Sequence, residues 1–195
     1  FNTLDDIINN PRGGLLSIGF ILALYFSANG MSSLIEAFNS SYHINEYRSL
    51  LRQKALSLTL TFFLALLLII TIGLIIFGKV AINYLTDIDI ISKFSADLIL
   101  YGKWFILLAM FFSGIAILFH FGPATTKKWK FFTAGSILST LGIIITSIGF
   151  NYYINNFSNY NKIYGSIGTL MIILIWMYFN SIILLTGFEL NASIS

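Results

Sequence analysis

The chain alternates long apolar segments with short polar ones. At about 1.5 Å per residue, an apolar helix of roughly twenty residues crosses the ~30 Å hydrocarbon core of a bilayer. Segments of this kind predict five spans, at about residues 15–38, 56–77, 98–119, 131–154 and 166–190. The stretches between them are too short for a separate soluble domain. We therefore predict an all-α, polytopic transmembrane helix bundle, with residues 1–195 forming a single integral membrane domain.

A polar stripe interrupts the apolar surface of the first span. Its residues recur every three or four positions and therefore share one side of a helix: Asn29, Ser32, Ser33, Glu36, Asn39 and Ser40. Polar side chains are costly in lipid, so we expect the stripe to face protein or a wet cavity. Asn180 and Asn191 form a second polar line on the last span. The two lines are either a pathway for a lipid or other amphiphile, or sites of interhelical hydrogen bonds.

The loop after the first span carries a charged motif, Glu46, Arg48 and Arg52. A carboxylate that accepts from a guanidinium forms a charge-assisted hydrogen bond. We expect Glu46 to pair with Arg48 or Arg52.

The fourth span carries a line of small residues spaced by three or four positions: Gly135, Ser139, Gly142, Thr146 and Gly149. Small side chains allow two helix backbones to approach closely. We predict that this span lies at the centre of the bundle and that the polar stripe of the first span faces it or the fifth span. Asn180 is then a hydrogen-bond partner for the stripe, and the apolar second span faces lipid.

Composition supports a membrane protein and limits its chemistry. Of 195 residues, 57% are hydrophobic and 10% are charged, whereas soluble domains are about 45–50% apolar and about 25% charged. The lack of cysteine excludes disulfides and thiolate chemistry. The two histidines, His43 and His120, do not form a motif with metal-ligand spacing. We expect no catalytic residues, no metal and no cofactor.

The basic residues predict an orientation. Arg48, Arg52 and Lys54 lie in one loop, and Lys127, Lys128 and Lys130 lie in another on the same side. The positive-inside rule places both loops in the cytoplasm, together with the C-terminus. The N-terminus is then external, which favours a sixth span upstream of Phe1. The three lysines of the second loop are too few to indicate a nucleic-acid-binding surface, so we expect no nucleic-acid partner.

Several short motifs resemble a known family. They include Ser27-Ala28-Asn29-Gly30-Met31, Ala37-Phe38-Asn39, Glu46-Tyr47-Arg48, Tyr164-Gly165-Ser166, Trp176 and Leu185-Thr186-Gly187-Phe188-Glu189-Leu190-Asn191-Ala192. In this order, they resemble the YihY/virulence factor BrkB family. A proline commonly follows the arginine of the Glu-x-Arg motif in that family, and Ser49 stands there in this chain.

The resemblance implies a protein of the bacterial cytoplasmic (inner) membrane with about six helices. Members have been described as ribonuclease BN, linked to virulence and proposed as transporters, with no catalytic residue set. We therefore expect a transporter or lipid-handling protein, with membrane lipids as partners and an amphiphile as cargo. The alternatives are a structural or partner-binding membrane protein and, less favoured, a membrane-bound ribonuclease. The sequence indicates no oligomeric state.

The predicted orientation can be tested by cysteine labelling, since the chain contains no cysteine of its own. The Arg48 and Lys127 loops should be cytoplasmic and the Asp87 and Tyr160 loops external. A Ser41→Cys variant should not react with a membrane-impermeant thiol reagent in intact cells. Labelling from outside would show that the predicted orientation is wrong.

Overall fold

The computed structural model describes residues 13–41, 43, 46–88, 90, 92–125, 130–157 and 160–194. All regular secondary structure among them is helical: α1 Gly13–Ser41, α2 Leu50–Asp87, α3 Lys93–Phe121, α4 Ala134–Phe157 and α5 Tyr160–Ile194. Each helix contains a stretch long and apolar enough to cross a membrane. The polytopic all-α prediction is confirmed, and the sixth upstream span stays a prediction.

Some helices extend beyond the predicted spans. α2 has 38 residues, about 57 Å, and continues past Phe77 through Lys79 to Asp87. The stretch between the second and third predicted spans, residues 78–97, is therefore mostly helical and not a loop. Hydropathy marks where the hydrocarbon ends, but a polar residue such as Lys79 does not interrupt the backbone hydrogen bonds of a helix. By contrast, α4 begins at Ala134, three residues after the predicted start at residue 131. The Thr133 hydroxyl accepts from the Ser136 amide at 3.3 Å and caps the helix there.

The helices form a ring. Each packs against the next along the chain, and α5 returns to contact α1. α4 therefore lies in the wall between α3 and α5, and its predicted central position is wrong. The small-residue line of α4 faces α5, whereas Leu138, Leu141 and Ile145 of the same helix are large and exposed. The α1 stripe also does not face α4, because α1 packs on α2 and α5.

The small-residue line of α4 does form the predicted close approach, with α5 as its partner. A Cβ atom on Gly135 would overlap the Gly187 carbonyl oxygen, and one on Gly142 would lie 2.8 Å from Ile183 Cγ2. The Ser139 hydroxyl donates to the Ile183 carbonyl at 3.3 Å. The contact ends before Gly149, where a Cβ atom would meet nothing within 4 Å.

The hydrophobic core lies at one end of the ring, where α1, α3 and α5 end and α2 and α4 begin. We call this the closed end. Phe38 stacks on Phe188 with ring centroids 4.6 Å apart, and Phe119 meets the two rings edge-on at 5.6 and 6.0 Å. This aromatic cluster is almost completely buried and fills the space between three helices.

The other half of the ring is open. Along one face of α3, the exposed fraction rises from 2% at Phe119 and 4% at Ile115 to 39% at Phe111. Along the face of α5 that carries Phe188, Met177 is 54% and Leu174 is 57% exposed. These positions repeat at helical spacing, so they continue the faces that form the core. Among the described residues, these two faces are therefore packed at the closed end and exposed along the other half of the ring.

The α4–α5 contact predicts opposite effects for two glycine substitutions. Gly135→Ala should lower the free energy of unfolding by about 1–3 kcal/mol, because the added methyl group has no room. Gly149→Ala should leave stability unchanged or raise it by up to about 1 kcal/mol, since alanine favours the helix. Equilibrium unfolding in detergent measures both, and equal effects would show that the close approach is not a constraint.

Candidate functional site

The loop between α1 and α2 folds back onto the end of α3 through an ion pair. The backbone N–H and the Nε of Arg48 both donate to Glu46 Oε1, at 2.9 and 3.0 Å. Arg48 Nη2 donates to the Gly122 carbonyl at 2.9 Å, an oxygen that the helix end leaves without an intrahelical partner. The side chains of Arg48 and Glu46 are only 14% and 23% exposed. The Glu46–Arg48 pair is confirmed, while Arg52 is exposed and lies outside it.

Asn39 connects this ion pair to the α3–α4 connection. Its Nδ2 donates to Glu46 Oε2 at 2.9 Å, and its Oδ1 accepts from the Ala124 amide at 2.9 Å. We call Asn39, Glu46, Arg48 and the backbone of Gly122 and Ala124 the polar network. It lies next to the aromatic cluster, since Phe38 precedes Asn39 in α1.

The side chain of Asn191 joins α5 to α4 by a hydrogen bond. Its Oδ1 accepts from the Gly135 amide at 2.7 Å, one of the first amides of α4, which have no intrahelical acceptor. Asn39 and Asn191 are 5% and 3% exposed. At these two positions the geometry favours hydrogen bonds that join helices and loops over a pathway.

The remaining stripe residues of α1 fall on two different sides. Ser32 faces α2, where its hydroxyl donates to Ser57 Oγ at 2.9 Å in a buried contact. Asn29 Oδ1 accepts from Lys54 Nζ at 2.8 Å. Ser33 and Glu36 are exposed. The stripe therefore contacts protein at Asn29, Ser32 and Asn39. At its exposed positions the expectation of protein or a wet cavity stays a prediction, because helical spacing sets which residues share a face but not what that face meets.

Asn180 does not reach the stripe. Its Nδ2 donates to the Trp176 carbonyl of the same helix at 2.8 Å. Trp176 Nε1 in turn donates to Ser147 Oγ of α4 at 3.3 Å, which places this side of α5 against α4. The expected hydrogen bond between Asn180 and the stripe is wrong, since the stripe lies on α1 beside α2.

Two polar contacts escaped the sequence analysis. The Ser41 hydroxyl donates to Glu189 Oε1 at 2.5 Å and joins the ends of α1 and α5. The Lys54–Asn29 bond joins α1 and α2. Neither pair has a spacing that identifies it, because the partners are far apart in the chain. Lys127 and Lys128 lie outside the described residues, and no metal-binding group of three His, Asp or Glu occurs within them.

An open groove of about 400 Å³ lies between α3 and α4, in the open half of the ring. Its walls are mainly apolar, and one hydroxyl and one amide side chain supply polar groups. The lining residues are Phe111, Ile143, Ile144, Ser147, Ile148 and Asn151.

Residues 2–195 match the family described as Virulence factor BrkB. The chain belongs to this family. The BrkB-family chain is 32% identical to YfkH, a ribonuclease-like protein of Bacillus subtilis, over 189 residues. This alignment covers 95% of the chain and 67% of YfkH. A UPF0761 membrane protein of Stenotrophomonas maltophilia is 24% identical over 190 residues, or 94% of the chain and 42% of that protein.

A second UPF0761 membrane protein, from Tolumonas auensis, is 32% identical over 81 residues, covering 42% of the BrkB-family chain and 27% of the relative. The chain therefore spans between about a quarter and two thirds of these relatives. No solved structure matches it significantly.

The polar network predicts energetic coupling in this BrkB-family chain. Arg48→Gln should lower the free energy of unfolding by about 1.5–3 kcal/mol, because it removes hydrogen bonds to a shielded carboxylate. Combined with Glu46→Gln, it should show a coupling energy of about 0.5–3 kcal/mol. Arg52→Gln, an exposed control, should stay within about 0.5 kcal/mol of the parent. Additive effects in the Glu46–Arg48 double-mutant cycle would contradict the network.

Proposed function

We propose that this BrkB-family protein lies in the bacterial cytoplasmic membrane and moves or otherwise handles a membrane lipid or another amphiphile. The observation that supports this proposal is the ring of helices, which is filled at the closed end and open over its other half. A carrier needs an internal space that is closed toward one side of the membrane. The exposed faces of α3 and α5 beyond the core are the surfaces that we assign to such a space.

The α3–α4 groove favours an amphiphile as the cargo. Its volume of about 400 Å³ falls within the range of roughly 300–1,000 Å³ typical of ligand pockets. Apolar walls suit an acyl chain, and Ser147 and Asn151 offer hydrogen bonds to a more polar part of the same molecule. Because α3 and α4 are long and apolar enough to span the membrane, a lipid can enter the groove sideways from the bilayer.

We propose further that the closed end faces the cytoplasm. Among the described residues, the basic residues at or near this end are Arg48, Arg52, Lys54 and Lys130, and those toward the other end are Lys79, Lys93 and Lys103. The positive-inside rule assigns the end that is richer in Lys and Arg to the cytoplasm. α5 ends there as well, which makes the C-terminus cytoplasmic. The open half of the ring then faces the outside.

A ribonuclease activity has less support from the residues. Both carboxylate oxygens of Glu46 are engaged in the polar network, and the exposed Glu189 bonds Ser41. The term ribonuclease-like belongs to the name of YfkH. For this chain we propose neither an active site nor a nucleic-acid partner. The stronger alternative is a structural or partner-binding protein, which the buried, hydrogen-bonded Asn39 and Asn191 favour.

Lipid movement in reconstituted liposomes tests the proposal. The parent protein should accelerate the exchange of fluorescent phospholipids between leaflets over protein-free liposomes. Ile148→Trp should reduce this rate at least about tenfold, the effect of a binding loss near 1.4 kcal/mol, because the indole fills the groove. Ile145→Trp is the matched control, since Ile145 and Ile148 are 67% and 66% exposed on α4 and only Ile148 lines the groove.

Two results would contradict the proposal. Equal rates for the two tryptophan variants would show that the groove is not part of the transport route. A folded parent protein that moves no lipid would favour the structural or partner-binding alternative.

A further inference from the structure

The α3–α4 groove contains two polar side chains, Ser147 and Asn151, which lie one helical turn apart on α4. Asn151 lies one turn and Ser147 two turns from Asn155, where the apolar stretch of α4 ends. At about 1.5 Å per residue, these positions are about 6 and 12 Å inside that end. The other residues that line the groove are apolar, so a bound lipid meets the two polar groups between apolar walls.

The hydroxyl of Ser147 is used differently from most hydroxyls in these helices. Those of Thr140, Ser181 and Thr186 donate to the backbone carbonyl four residues earlier, as hydroxyls in helices often do. Ser147 has no acceptor among the described residues, and its Oγ instead accepts from Trp176 Nε1 at 3.3 Å. Because an indole N–H can only donate, the direction of this bond is fixed. The Ser147 O–H therefore remains available to a ligand in the groove.

The amide of Asn151 is in a comparable situation. Its Oδ1 accepts from Asn155 Nδ2 at 3.3 Å, and its own Nδ2 has no acceptor in the described part of the chain. Both side-chain oxygens thus have a partner, whereas the O–H and N–H donors beside them have none. A donor without a partner in apolar surroundings is costly. A lipid that brings acceptor oxygens to this part of the groove removes that cost.

The acceptor that fits this position is a neutral one. None of the described residues that line the groove is charged, and the charged groups of lipids lie in the headgroup layer outside the hydrocarbon core. Ester carbonyls are neutral, and they are the polar atoms of a glycerolipid that lie nearest to its acyl chains. We propose that the α3–α4 groove selects its lipid through carbonyl oxygens, which accept hydrogen bonds from Ser147 and Asn151. Trp176 is a positioning residue, since it acts through Ser147.

This inference names the chemical class of the cargo for the lipid-handling function proposed above. It rests on that function, but it concerns binding rather than movement. Two classes of bilayer lipid carry carbonyl oxygens close to apolar chains. Glycerolipids carry them in their acyl esters, and isoprenoid quinones carry them on the quinone ring.

Native mass spectrometry of the detergent-purified protein measures the selection. The protein is titrated with diacyl-phosphatidylglycerol and with dialkyl-phosphatidylglycerol of the same chain length. These lipids share their headgroup and differ in the two carbonyl groups, which the dialkyl form lacks. The parent protein should bind the diacyl form at least about fivefold more tightly, the effect of one neutral hydrogen bond.

Variants of the donors assign this preference to the groove. Ser147→Ala and Asn151→Leu should each reduce it, and the double variant should bind the two lipids equally within about twofold. Trp176→Phe should also reduce it, because the Ser147 hydroxyl can then turn to the carbonyl four residues earlier. Ser181→Ala is the matched control, since its hydroxyl already donates to the Met177 carbonyl, and it should keep the preference. Thermal melting checks that every variant is folded.

Three results would overturn the selection. They are equal binding of the diacyl and dialkyl lipids by the folded parent, a preference that persists in the folded double variant, and an equal loss of preference in Ser181→Ala. A general loss of structure would weaken the binding of both lipids together, so the ratio of the two affinities separates selection from damage.

A competition experiment with an isoprenoid quinone identifies the source of the carbonyl. Displacement of the diacyl lipid by an equal concentration of quinone would assign the groove to ring carbonyls. Retention of the diacyl lipid would assign it to acyl esters.

The selection and the transport function fail separately. A preference for the diacyl lipid without lipid movement in liposomes would retain the selection and contradict transport. Movement of diacyl and dialkyl lipids at equal rates, together with equal binding, would retain transport and contradict the selection.

Discussion

The carboxylate of Glu46 holds the closed end of this protein together. One of its oxygens accepts two bonds from Arg48, and the other accepts from Asn39. Through these two residues the same carboxylate reaches the Gly122 carbonyl and the Ala124 amide, so one short loop fixes the end of α3. In a shielded environment each of these bonds is stronger than in water, and each is costly to leave unmade.

The two neighbours of α4 in the ring, α5 and α3, pack against it at different distances. Small residues let α4 lie against α5 at backbone distance, whereas bulky side chains separate α4 from α3. Phe112 of α3 stacks on Phe132, just before α4, with centroids 5.0 Å apart, and the groove opens further along. A contact between closely approaching backbones resists separation more than a contact between large side chains does, since small residues permit more atomic contacts per turn. Opening the ring between α3 and α4 is therefore easier than opening it between α4 and α5.

Much of this architecture could be predicted from residue patterns. Five apolar segments predicted five spans, the α4 small-residue line predicted a close helix contact, and opposite charges two residues apart predicted the Glu46–Arg48 pair. The partners across the bundle could not be predicted. The Asn39 amide bonds a backbone group, Ala124 N–H, which every residue except proline offers. Similarly, periodicity placed Glu36 on a helix face but did not reveal that this face is exposed.

The length of α2 has a mechanical consequence. Its 38 residues form one uninterrupted helix from Leu50 to Asp87, about 57 Å long and therefore well beyond the ~30 Å hydrocarbon core. A rod of this length amplifies small rotations. A tilt of about 5° around its first turn displaces the opposite end by about 5 Å. Because that first turn directly follows the Glu46–Arg48 loop, α2 can act as a lever that carries a rearrangement at one membrane surface to the other.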